Sequence, residues 1–195
     1  AQDAFALIAD SLYDSCMKAG HYGTVAEWLA RMPETEIFLN TPLRLTAGWQ
    51  AALNGDWQRA EHFVGSLVEP PDSDADLYGE ALAILAVANS RAERLDVAER
   101  YSSAYPKNAA DSLASRSITH IRAFSALFSG ASEEARRLLA NIPSDNRFFA
   151  QEVVHSRSLG HIYLWEGRPT LADAAVRRRY ALCEVAAGRR NELTM

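Results

Sequence analysis

The sequence is short of the residues that would give it an easy identity. It has two cysteines, Cys16 and Cys183, placed near opposite ends of the chain. They fit no metal-binding or redox spacing, and a disulfide between the ends of an elongated body is geometrically disfavoured. Both are expected as small apolar residues in a reducing compartment. No apolar run approaches the ~20 residues that cross a bilayer. The longest, Ala81 to Ala88, has the length of a buried helix. No signal peptide is read at the start, so the expectation is a cytoplasmic chain that does not enter a membrane. Cations are in deficit: the net charge of -5 speaks against a broad phosphate-binding surface and predicts no direct nucleic-acid binding. No stretch alternates apolar and polar residues with β-branched enrichment, so no strands are assigned. The five histidines, His21, His62, His120, His155 and His161, form no i, i+4 pair, no H-E-x-x-H and no cluster with cysteine, which leaves no zinc site. Nothing places a base beside a serine or cysteine nucleophile. The chain is therefore expected not to be an enzyme.

What is present is a repeat. A small residue followed twelve positions later by alanine recurs as Gly48 and Ala60, Ala86 and Ala98, Ala123 and Ala135, and Gly160 and Ala172. Successive pairs are thirty-seven or thirty-eight residues apart. Within three pairs a glycine falls at the same offset (Gly55, Gly130, Gly167), and Glu93 fills that place in the other. A weaker copy runs from Tyr13 through Gly20 to Val25. A period of this length marks an array of helical hairpins, in which each unit buries its apolar face against its neighbours. At 48% apolar and 23% charged residues the composition is that of a globular chain, and the array forms a single domain.

Each unit reads as helix, turn, helix, with hairpins over 3–31, 43–68, 76–104, 110–140 and 148–187. In the second, Leu43, Leu45, Trp49, Ala52 and Leu53 keep a helical period up to Asn54-Gly55, where glycine takes the left-handed conformation that ends helices. Asp56 suits the next helix N-terminus, and Ser132 with Glu133-Glu134 gives a similar signature later. Pro33, Pro70-Pro71, Pro106 and Pro143 break the units, and Pro169 is acceptable in a first turn. The small-residue columns mark helix crossings, where two axes approach only if bulk is absent.

The spacing of small residue and alanine across a helix-turn-helix resembles the tetratricopeptide repeat, although these units are longer than that family's thirty-four residues. The resemblance implies an all-α, right-handed superhelix of about five tetratricopeptide-like hairpins. A narrower likeness is carried by Ala19-Gly-His-Tyr-Gly-Thr-Val-Ala-Glu-Trp-Leu29 with Arg31-Met-Pro33, and by Thr41-Pro-Leu-Arg-Leu-Thr-Ala-Gly-Trp-Gln-Ala-Ala-Leu-Asn-Gly-Asp-Trp-Gln-Arg-Ala-Glu61. These stretches resemble the helical-repeat region of MalT-like, LuxR-type ATP-dependent bacterial transcription regulators. The resemblance implies a sensor or effector arm that binds an inducer or a partner protein and passes the result to an ATPase and a DNA-binding module. No G-x-x-x-x-G-K-[ST] loop and no basic recognition helix occur here, so ATP is expected only on a module outside this sequence. The sequence opens on Ala-Gln-Asp and reads as a piece of a longer protein. Open terminal hairpins then predict concentration-dependent self-association.

In such a superhelix the first helices of the hairpins line the concave groove. Three residues before the small residue the column is Leu45, Ala83, His120, Arg157; one residue after it, Trp49, Val87, Phe124, His161. The candidate ligand-binding set is therefore Trp49, His120, Phe124, Arg157 and His161. Aromatic surface with a cation and imidazoles suits a small anionic or sugar-like ligand, or a peptide carboxylate. The plainer alternative makes Trp49 and Phe124 hairpin core, with the histidines bonded locally. The competing function is a protein-interaction scaffold with no small-molecule ligand. The basic run Arg177-Arg178-Arg179 with Arg189-Arg190 reads as a solvated face.

Overall fold

The computed structural model describes residues 21–68, 75–106, 110–143 and 149–187. Among these residues all regular structure is helical: α1 (Tyr22–Leu29), α2 (Glu34–Leu39), α3 (Thr41–Leu53), α4 (Trp57–Val64) with a 3-10 turn at Gly65–Val68, α5 (Ala75–Arg91), α6 (Leu95–Ala104), α7 (Leu113–Phe128), α8 (Ser132–Ala140), α9 (Phe149–Trp165) and α10 (Pro169–Ala187). The expected all-α class holds. The opening helix of the first hairpin, together with Tyr13 and Cys16, lies outside the described residues. From α3 onward consecutive helices pack in pairs, α3 with α4, α5 with α6, α7 with α8 and α9 with α10, and the first helices pack in sequence from α3 to α5 to α7 to α9. No helix among the described residues is long and apolar enough to cross a membrane.

The turn inside each pair is the same object four times. Gly55, Glu93, Gly130 and Gly167 all have positive φ, at 73°, 60°, 82° and 69°. The residue that follows each donates its backbone N–H five residues back: Asp56 to Ala51 O, Arg94 to Asn89 O, Ala131 to Ala126 O and Arg168 to Tyr163 O, at 2.8–3.0 Å. This is the Schellman closure, which satisfies the carbonyls a helix end leaves open and requires a left-handed residue at one place. Three units use glycine there. Glu93 is the one described non-glycine residue with positive φ.

The alanine of each repeat owes its position to the same turn. The N–H groups of Ala60, Ala98, Ala135 and Ala172 bond to the carbonyls of Asp56, Arg94, Ala131 and Arg168, closing the first turn of each second helix at 3.0–3.1 Å. Asp56 also caps its helix, its side chain accepting from Arg59 N. Ser132 does not act that way. Ala131 is the N-cap, without a side-chain bond, and Ser132 is the first helical residue, with Glu133 and Glu134 in the first turn. Ser112 and Ser115 form a reciprocal capping box that starts α7.

At the crossing, the small residue fits to different tolerances. A Cβ on Gly48 would lie 2.7 Å from Val64 Cγ1 and 3.3 Å from Ile84 Cγ2. The glycine is therefore required by both its own hairpin and the next. On Gly160 the nearest atom would be Val176 Cγ2 at 3.6 Å, an ordinary contact.

Two apolar clusters form the interior. One runs from Val25 through Leu43, Trp49, Val64 and Ile84 to Ile118 and Ile121. The other, smaller, gathers Ala123, Leu127, Ala135, Leu139 and Ile162. The division falls within α7. The sequence pattern ends a unit at Pro33, whereas in the fold Pro33 stands as the N-cap of a short helix, Glu34–Leu39, with Glu34 and Glu36 in its first turn.

Candidate functional site

The first helices of the pairs line an open-sided cavity of about 90 Å³. A buried water needs about 10–15 Å³ by the same measure, so several waters or a small ligand can enter. Trp49 and Leu53 come from α3, Val87, Ser90 and Arg91 from α5, Leu113, Ser117, His120, Ile121 and Phe124 from α7, and Gln151, Val154 and Arg157 from α9; Tyr22 of α1 joins them. The walls are mainly apolar and aromatic. Two lining residues are arginines and none is acidic.

Of the five residues expected in the groove, Trp49, His120, Phe124 and Arg157 line this one cavity. His161 does not. It sits against Phe124, ring centroids 5.7 Å apart, and burial, then Arg157 and Arg179, lowers its pKa. Trp49 is also core, as the plainer reading had it: it is 2% exposed, and its Nε1–H donates to Glu80 Oε1. His120 is bonded, but to the neighbouring first helix rather than within its own.

That bond fixes the state of the imidazole. Ser158 Oγ donates its single proton to Val154 O at 2.9 Å, a common arrangement for serine within a helix. Its oxygen is then left to accept from His120 Nδ1–H at 3.2 Å. The other ring nitrogen, Nε2, is a bare acceptor with no partner among the described residues. Burial, then the nearby His155, Arg157 and Arg116, presses the pKa of His120 down to about 3, so the ring is neutral at physiological pH.

Gln151 follows the same pattern. Ser117 Oγ donates to Leu113 O at 2.8 Å and accepts from Gln151 Nε2–H at 3.1 Å. Gln151 Oε1 is buried without a partner among the described residues. Arg157 presents the opposite need, because its Nε is buried and unpartnered in the same sense. Burial, then the positive charges of Arg91 and Arg179, lowers its pKa. A half-buried guanidinium with a bare Nε, beside other cations and with no acidic residue lining the cavity, favours an incoming anion. Tyr22 remains a phenol, its pKa raised to about 12 by burial, against the opposing pull of Arg91.

Tyr22, Arg91 and Gln151 were not among the sequence candidates. A signal for Arg91 existed, since the lining face follows helical spacing beyond the two columns first compared. One turn earlier those columns hold Ser117 and Val154, and one turn later Leu53 and Arg91. The basic run on α10 divides where it is described: Arg177 and Arg178 are exposed, Arg177 pairing with Asp173 at 2.7 Å, whereas Arg179 is half-buried. Among the described residues no group of histidine, cysteine and acidic side chains could hold a metal ion. Compared with known proteins, the chain matches no family, no curated protein and no solved structure.

Proposed function

We propose that this chain is the ligand-sensing arm of a larger regulator, a superhelix of tetratricopeptide-like hairpins that takes a small anion into the cavity between its first helices. The observation that carries the reading is Arg157, whose buried Nε has no partner among the described residues, set beside the more exposed Arg91 at an apolar cavity that no acidic side chain lines. A cationic side chain whose Nε is taken out of water without an acceptor carries a cost, and such a group is retained where a ligand supplies the counter-charge. The motifs around Ala19 to Glu61 support a MalT-like, LuxR-type setting, with ATP and DNA handled by modules elsewhere. Binding is the activity and no catalysis is assigned. Because four successive first helices supply the walls, an occupant contacts them all. It thereby favours one curvature or self-associated form of the arm over others, which is how occupancy passes to an attached module.

A thermal-shift screen of small carboxylates, phosphates and sugar acids tests this. At least one anion raises the melting temperature, and Arg157→Met removes that response without lowering the melting temperature of the free chain. Silence across the whole anion panel sinks the reading. The second reading, a protein- or peptide-binding scaffold, draws on the exposed aromatic pair Phe128 and Trp165, packed edge to face at 6.1 Å on adjoining hairpins. Capture of a partner that Phe128→Ala abolishes, with no anion response, favours it.

A further inference from the structure

We infer that the ligand of this cavity is a small hydroxycarboxylate with an apolar or ring-bearing body: a carboxylate for Arg157 and Arg91, and a neutral hydroxyl for the acceptors His120 Nε2 and Gln151 Oε1. The inference rests on the anion-binding reading above and goes beyond it to the second functional group. His120 and Gln151 are 4% and 8% exposed; His120 has given its one N–H, and Gln151 one of its two, to a serine whose own proton is committed to a helix carbonyl. Neither atom can be satisfied by turning the side chain round. What reaches them has to bring a proton. A plain anion does not, so a ligand offering only a carboxylate leaves two buried acceptors bare.

The donor also has to be neutral. An ammonium would enter beside Arg91 and Arg157 with no acidic lining residue to offset it, which disfavours amino acids. A hydroxyl meets both conditions, and its oxygen can accept in turn from water or Tyr22. Trp49 and Phe124 supply flat apolar surface for the rest of the molecule.

Four probes of one size separate these requirements: phenyllactate, phenylpropanoate, phenylalanine and phenylpropanediol. They keep the ring and vary the acid and the donor. Titration calorimetry on the 195-residue chain is expected to show phenyllactate binding tightest. Its lead over phenylpropanoate is about tenfold, as expected when a ligand satisfies a buried acceptor. Phenylalanine and the diol bind more weakly than phenyllactate. His120→Asn retains an N–H for Ser158 but withdraws the Nε2 acceptor. It shrinks the lead of phenyllactate while leaving phenylpropanoate unchanged, whereas Arg157→Met weakens both acids alike. Equal binding of phenyllactate and phenylpropanoate, or phenylalanine binding tightest, overturns the hydroxyl assignment and leaves anion sensing standing. No binding by any of the four overturns the hydroxycarboxylate, and the wider anion screen then decides whether anion sensing falls as well.

Discussion

Helices α5 and α9 hold equivalent places in their pairs, yet they are packed by different chemistry. The described buried positions of α5 are almost all apolar, from Ala81 through Leu82, Ile84 and Leu85 to Ala88, and its buried Asn89 donates to Leu85 O within the helix. On α9, Gln151, Ser156 and Ser158 are buried beside Val153 and Ile162, and two of those polar side chains bond across to α7. Dispersion and burial supply most of what holds the early pairs together, beside a few directional bonds such as that from Trp49 to Glu80. The later pairs are held partly by hydrogen bonds that leave specific atoms unsatisfied. The same architecture thus supports an early half packed mainly by apolar contact and a later half with more buried polar side chains.

The sharpest way to test that contrast is to add one methyl group to each region. Gly48→Ala is expected to cost about 1–3 kcal/mol, because the branched Val64 and Ile84 leave no room for overpacking. Gly160→Ala, at the equivalent crossing, is expected to gain about 0.5–1 kcal/mol by removing a glycine from a helix interior. Urea unfolding of both variants checks this, and equal losses would erase the distinction.

The next effect is on acid sensitivity. His120 has an ordinary pKa of 6.5 that falls to about 3 in the folded chain. Between those values the unfolded state binds a proton that the folded state refuses. The contribution is therefore fully present above pH 6.5 and is lost as the pH falls toward 3. Burial lowers His155 and His161 in the same direction. His120→Asn should flatten the fall in melting temperature on acidification relative to the parent chain. Parallel curves for the two proteins would show that the later half is no more acid-sensitive than the rest.

The smallest effect concerns the turns, where the two regions ought to agree. Glu93→Gly places the residue the other three turns use at a left-handed position, with an expected gain of about 1 kcal/mol. A loss there would mean that the Glu93 side chain has a contact worth more than its backbone strain.

The turns were the most legible part of the sequence. Gly55, Gly130 and Gly167 mark a backbone demand that few residues meet, and Glu93 could be placed only because its neighbours kept the period. The helix Glu34–Leu39 was hidden because proline stops a helix and starts one with equal ease. For the site, two columns sufficed to find four lining residues. Gln151 lies beyond the turns compared, and His161, one residue past the small residue on α9, packs against the lining Phe124 rather than lining the cavity itself. The tautomer of His120 was not legible at all. It depends on where the proton of Ser158 goes, which only the geometry decides.

The boundary between the two apolar clusters lies inside α7, between Ile121 and Ala123. A break between clusters usually falls in a loop, where one side can melt and leave the other intact. Here one unbroken helix is shared, so neither half can loosen its grip on α7 without bending a rod that the other half is holding. The two halves are mechanically in series. A disturbance at the polar end is expected to reach the apolar end through α7, so that the two cores unfold in a single transition.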